Sequence, residues 1–186
     1  MRIILMGPPG VGKGTQAHKI VNKFEIIHLS TGDILRTEVG GKTKLGEKAK
    51  EFMDTGQLVP DELLLNMMKN RLQQEDCKNG YLLDGFPRTI PQAEGLESIL
   101  DNIDQSIDYV ISLTADEDEL VHRLVLRGKE SGRSDDTEKV IKERQQVYWK
   151  LTAPLLTFYR ERDLLVEVDG LGTIPEIADR ILKVLE

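Results

Sequence analysis

The 186-residue sequence predicts an α/β fold: a three-layer arrangement with a five-stranded parallel sheet flanked by helices, built around a phosphate-binding loop (P-loop). Three observations predict it. Short apolar runs alternate with segments of helical period, the pattern of parallel strands joined by crossover helices. Most of those runs are continuous rather than alternating, which suits strands covered on both faces. Finally, Ile3-Ile4-Leu5-Met6 leads through Gly7-Pro8-Pro9-Gly10-Val11-Gly12-Lys13-Gly14-Thr15 into a helical stretch, and strand, glycine loop, helix is the context a phosphate loop requires.

The first strand, 3–6, delivers that loop. Its glycines let backbone N–H groups converge without Cβ clashes. The N-terminus of the helix over 14–24 adds partial positive charge. Lys13 offers a full charge to β- and γ-phosphates, and Thr15 a hydroxyl. The general motif puts Ser or Thr directly after the lysine; here Gly14 intervenes. A nucleoside triphosphate is the expected ligand. A second strand over 26–29 ends at Ser30-Thr31-Gly32-Asp33, and a short helix follows over 34–39. Gly40-Gly41 breaks the chain. Leu45, Ala49, Phe52 and Met53 mark one face of the next helix, which stops at Gly56. Leu58-Val59-Pro60-Asp61 opens another, with Leu64, Met67, Met68 and Leu72 as its apolar stripe; those methionines fit a core.

The third strand, 81–84, ends in Asp84-Gly85-Phe86-Pro87-Arg88. A helix over 91–100, a strand over 108–113 and a helix over 118–126 follow, the last carrying Arg123 and Arg127 four apart on one face. Residues 128–136 are polar and glycine-containing, a mobile loop by composition. A long helix is expected from 137 to 156 or beyond, kinked at Pro154. The fifth strand, 164–168, leads through Asp169-Gly170 to a last helix from about 175. Ligands of such sheets bind beyond the carboxyl ends of the strands. The segments 7–15, 30–33, 84–88 and 169–170 all lie there.

Composition bounds the function. A net charge of −7 excludes bulk affinity for nucleic acid or anionic membrane, so any polyphosphate site must gather its cations locally. A single cysteine, Cys77, excludes an internal disulfide and a cysteine-based zinc site, and is expected to be a half-buried, inert thiol. The N-terminal apolar run is too short for a signal peptide and no stretch approaches a membrane span, so the expected location is cytoplasmic.

Two sets of residues carry the chemistry. Asp84 ends an apolar strand, where phosphate-loop enzymes keep the aspartate on the magnesium side, and Asp33 sits at the neighbouring rim. Both can hold magnesium, directly or through water; Asp33 can instead cap the helix that follows. Arg36, Arg88, Arg123, Arg127, Arg133 and Arg144 lie in segments able to face the rim. Holding two phosphate chains head to head needs several such cations, and arginine makes fixed bidentate contacts. Phosphoryl transfer to another phosphate needs no strong base, because the acceptor oxygen is already ionised. A phosphate-loop switch of the GTPase kind is disfavoured: Asn22-Lys23-Phe24-Glu25 lacks the aspartate of the guanine motif.

Gly-x-Pro-Gly-x-Gly-Lys-Gly-Thr at 7–15, Ser30-Thr31-Gly32-Asp33-Ile34-Leu35-Arg36, Asp84-Gly85-Phe86-Pro87-Arg88-Thr89 and Gly132-Arg133-Ser134-Asp135-Asp136 together resemble the adenylate kinases over nearly the whole chain. The resemblance accounts for Gly14, since that family places its threonine one residue later. It implies the reaction ATP + AMP ⇌ 2 ADP with magnesium, a core over 1–29, 60–126 and 137–186, an AMP-binding insertion over 30–59 and a short lid over 127–136. It implies that Gly10, Val11, Gly12, Lys13, Gly14 and Thr15 hold ATP, with Arg123 and Arg127 beside it and Gly172 near the adenine. It assigns AMP to Thr31, Arg36, Gln57, Leu58, Val59, Gly85, Phe86, Pro87, Arg88 and Gln92. Arg133 and Arg144 would bridge the transferring phosphoryl group, and Lys13, Arg88, Arg123, Arg133 and Arg144 would be catalytic. The lid lacks the cysteine cluster of long-lid members, so no zinc is expected. A monomer is expected, with ATP, AMP and ADP as substrates. The short-lid branch also contains UMP/CMP kinases, which leaves the acceptor open.

Overall fold

The computed structural model describes residues 1–131 and 134–186, with the side chains of 117, 118, 130, 131 and 134 not described. Among the described residues, β1 (Arg2–Met6), β2 (Ile27–Ser30), β3 (Tyr81–Asp84), β4 (Tyr109–Thr114) and β5 (Leu165–Asp169) form one parallel sheet in the order β2-β3-β1-β4-β5. Around it run α1 (Lys13–Phe24), α2 (Thr31–Gly40), α3 (Lys44–Thr55), α4 (Asp61–Leu72), α5 (Ile90–Asp101), α6 (Glu117–Ser131), α7 (Glu138–Val147), α8 (Pro154–Arg160) and α9 (Ile174–Leu185).

Successive side chains of a strand point to opposite faces. β1 therefore sends Ile3 and Leu5 to one side, where Leu82, Ile111 and Leu113 meet Ala17 and Ile20 of α1 and Ile177 and Ile181 of α9. It sends Ile4 and Met6 to the other, where Leu29, Leu83 and Val110 pack with Leu64 and Met68 of α4, Leu96 of α5 and Leu155 of α8. Each such fully buried leucine or isoleucine contributes roughly 1.5–3 kcal/mol relative to exposure. Cover on both faces is why the inner strands show no polar alternation. β5, at the sheet edge, keeps Glu167 exposed between Val166 and Val168.

Several boundaries differ from expectation, each for a local reason. The helix expected from 34 starts at Thr31, because Ser30 caps it by accepting the Asp33 N–H at 3.2 Å. α6 runs through Ser131, past the point where a mobile loop was expected to open at 128. Gly128 is helical, and a Cβ there would stand 2.8 Å from the Asp136 carbonyl; glycine admits the close approach of the short 3-10 turn Ser134–Asp136. The long helix expected from 137 divides into α7, a π turn over Tyr148–Thr152 and α8, with Pro154 opening α8 as a residue without an N–H can. Cys77 is fully rather than half buried, with Sγ donating to the Arg71 carbonyl at 3.1 Å. α2 and α3 pack on each other as a pair inserted between β2 and α4.

Candidate active site

A cavity of about 1080 Å³ opens at the carboxyl ends of β1, β2 and β3. The loop after β1 forms one wall. Gly7 and Gly10 hold φ of +140° and +92°, and a Cβ on either would lie 2.6 Å from a backbone carbonyl, of Leu113 and Leu120 respectively. Only glycine lets the loop pass so close. Lys13 opens α1, and its Nζ donates to the carbonyls of Gly7 at 2.7 Å and Pro8 at 3.1 Å. Burial pulls its pKa from 10.5 down to about 7; Asp84 opposes that shift, and Arg88, Arg144 and Arg127 reinforce it.

β2 and β3 supply the opposite wall. Burial works against ionisation of Asp84, but the hydrogen bond with His28 and the charge of Lys13 outweigh it and hold the carboxyl below its ordinary range. His28 Nε2 lies 3.4 Å from Asp84 Oδ2. Thr31 Oγ1 and Arg88 Nε both donate to the Gly85 carbonyl, at 2.9 and 2.8 Å. The Phe86–Pro87 peptide between them is cis. Arg36 pairs with Asp33 at 2.5 Å; burial raises the Asp33 carboxyl, and the bonds from Arg36 and Ser30 more than reverse it. Thr31, Asp33, Arg36, Gln57, Leu58, Val59, Gly85, Pro87 and Arg88 all reach the cavity, as do Gly10 through Thr15.

The third group comes from α6, α7 and the turn between them. Arg127 donates twice to Asp136, at 2.7 Å each, and Arg144 Nη1 donates to Asp136 at 2.8 Å and Asp135 at 3.0 Å. The Asp136 side chain is 0% exposed. Burial brings Arg144 down to about 10, so it stays charged at neutral pH. Arg123 pairs with Glu119 at 2.7 Å. All three arginines line the cavity, with Gly172 at its α9 end.

Four expected positions, Gln92, Phe86, Asp169 and Gly170, do not line the cavity. Gln92 is 0% exposed and points into the protein: its Oε1 accepts the Arg88 N–H at 2.7 Å and its Nε2 donates to Asp61 at 2.7 Å. Phe86 is buried behind the rim. Asp169-Gly170 do not reach the cavity; β5 is the edge strand, and the lining resumes at Gly172 and Thr173. Arg133 lies outside the described residues. Conversely, the structure brings in His28, Asp135, Asp136, Gln145 and Thr152, which sequence reasoning assigned no role at the site. His28 carried a signal, a polar residue inside an apolar strand. Thr152 carried none; its hydroxyl donates to the Arg88 carbonyl at 2.9 Å. Among the described residues, no group of three or more His, Cys, Asp or Glu could hold a metal.

A family model described as adenylate kinase matches residues 5–164. The chain is 48% identical to an adenylate kinase of Nocardioides sp. strain ATCC BAA-499 / JS614, covering 100% of this chain and 97% of that one. It is 49% identical to that of Cyanothece sp. strain PCC 7425 / ATCC 29141, covering 100% and 95%, and 47% identical to that of Stenotrophomonas maltophilia strain K279a, covering 100% of both. With the family match spanning most of the chain and these identities running its full length, the chain belongs to the adenylate kinase family.

Proposed function

We propose that this chain catalyses reversible phosphoryl transfer from ATP to AMP, yielding two ADP, and so serves adenine-nucleotide balance. One observation carries the reading: a phosphate loop and five arginines, Arg36, Arg88, Arg123, Arg127 and Arg144, line a single cavity in a chain of net charge −7. Charge gathered there against the molecule's overall sign suits two polyphosphate chains.

In this reading Gly10 to Thr15 hold the β- and γ-phosphates of ATP, with Arg123 and Arg127 beside them and the Gly172 backbone near the adenine. Thr31, Arg36, Gln57, Leu58, Val59, Gly85, Pro87 and Arg88 form the AMP side, with Phe86 and Gln92 behind them and Gln92 acting through its bond to the Arg88 N–H. An α-phosphate oxygen of AMP attacks the γ-phosphorus, the bond to the β–γ bridging oxygen breaks, and that oxygen leaves with ADP. Lys13, Arg88, Arg123, Arg133 and Arg144 stabilise the charge on the transferring group, so catalysis is positioning plus electrostatics. Asp84 and Asp33 would hold magnesium, largely through its waters; a buried carboxylate kept ionised beside Lys13 is the hard oxygen donor that ion takes. When bound, it neutralises charge on the triphosphate. The 30–59 pair is the AMP-binding insertion, 127–136 the lid and the rest the core, in a cytoplasmic monomer that needs no zinc, nucleic acid or membrane.

The test is ADP formation from ATP with AMP, UMP, CMP or GMP as acceptor. AMP should exceed the others by well over tenfold. A preference for CMP or UMP would reassign the acceptor, and ATP consumption indifferent to any monophosphate would refute the reading.

A further inference from the structure

A phosphate loop works by turning its N–H groups inward, so its carbonyls must turn outward and find donors elsewhere. The Gly7 carbonyl takes Lys13 Nζ, and the Pro8 carbonyl takes Lys13 Nζ and the Val11 N–H at 3.3 Å. The Gly12 carbonyl takes the Gln16 N–H at 3.1 Å. All of those donors belong to the loop or the helix it opens. The Pro9 carbonyl is different: its donor is Gln145 Nε2, at 3.1 Å, from α7, 136 residues away.

Gln145 is an unexpected residue for its place. It is 3% exposed, and its Oε1 is buried with no hydrogen-bond partner among the described residues. An apolar side chain would fill the position without stranding an acceptor, so packing does not explain a glutamine there. The bond to Pro9 does. The next residue, Gly10, sits at φ +92°, and a glycine junction lets the Pro9–Gly10 peptide rotate at low cost. Rotation would turn the Gly10 N–H out of the cradle and the Pro9 carbonyl into it. The bond from α7 opposes that rotation. It also fastens the phosphate loop directly to the helix that carries Arg144.

We propose that Gln145 is a positioning residue: it locks the Pro9–Gly10 peptide with its N–H toward the donor triphosphate and sets α7, hence Arg144, in register with the phosphate loop. The inference rests on the ATP side of the proposed function.

The experiment compares wild type with Gln145→Met and Gln145→Leu, which keep apolar bulk and remove the donor. Wild-type turnover of ATP with AMP is measured first, so that a failure of the proposed function is seen separately. In both variants KM for ATP should rise about fivefold or more and kcat should fall, while KM for AMP stays within twofold and the melting temperature is unchanged or higher. The Gly10 amide resonance should shift, and titration with tripolyphosphate should move it less than in wild type. A drop in melting temperature with both KM values unchanged, or both KM values rising together, would overturn the assignment in favour of plain packing. Should neither variant fold, solvent exchange of the Gln145 side-chain amide is read in wild type. Tripolyphosphate should slow it several-fold, and unchanged exchange would equally overturn the proposal.

Discussion

The ammonium of Lys13 is bonded to two loop carbonyls in a place where burial and the neighbouring arginines, against the opposing charge of Asp84, bring its pKa down to about 7. A triphosphate brings the negative charge that restores it. ATP binding should therefore take up a proton around and above pH 7, visible by calorimetry as a heat that depends on the ionisation enthalpy of the buffer, and KM for ATP should climb as pH rises through that region. Lys13→Met should lose orders of magnitude in kcat with the fold intact, and should take up no such proton. The stability signature has a definite sign. The folded pKa, about 7, is below the unfolded 10.5, so between those values the unfolded chain binds more protons and stability rises with pH. Wild type should gain stability relative to Lys13→Met between pH 7 and 10 in denaturant titrations; a constant difference would show that Lys13 is not perturbed. Gln92 gives a second test. Its amide serves the Arg88 N–H and the Asp61 carboxylate, so Gln92→Ala strands the Arg88 N–H and leaves Asp61 to the Thr89 hydroxyl, and should cost about 1–3 kcal/mol in stability as well as raising KM for AMP. A raised KM with unchanged stability would mean that these two bonds contribute nothing.

At the scale of elements, β4 carries its own test. The Ser112 hydroxyl is buried without a partner among the described residues. Ser112→Ala should leave stability unchanged or raise it by up to about 1 kcal/mol, read from the denaturation midpoint; a clear loss would reveal a bond to that hydroxyl. Which elements the sequence announces follows from where their information lies. β1 and β3 are legible because burial on two faces leaves an uninterrupted apolar run, and α3 because its stripe ends at Gly56, a left-handed C-cap with φ +78°. The Lys13 loop is legible because its chemistry is local and its spacing rigid. The start of α2 is less so, since Ser30 is equally good as a strand end or a cap. The extension of α6 past Gly128 depends on a turn packing against it, which no local pattern records. Gln92 marks the same boundary within the site: a glutamine after Ile90-Pro91 suits either helix face, and only the tertiary placement of Asp61 decides which.

For the molecule as a whole, closure is the property to measure. α3 already leans on α7: Gln57 Nε2 donates to Glu143 at 2.5 Å, and a Cβ at Gly56 would lie 3.1 Å from the Val140 carbonyl. A linked ATP–AMP mimic should protect amides in 30–59 and 127–136 from hydrogen exchange more than amides of the central strands, because closing over both nucleotides excludes the water that would intercept the phosphoryl group. Protection no greater than in β1 and β3 would argue for a rigid cleft. The two-sided burial of the sheet has a further consequence. A strand apolar on both sides is indifferent to a slip of one place along its neighbour, since either alignment hides grease. Its alignment must be dictated at its ends. At the start of β1 the Arg2 N–H reaches Asp108 at 2.6 Å and the Arg2 guanidinium reaches Gln105 at 2.9 Å. One place along a strand is roughly 3.3 Å, more than a whole hydrogen bond. The alignment of β1 with β4, and with it the place of the phosphate loop at one rim, is thus guarded by an arginine at the opposite rim, a full strand length away.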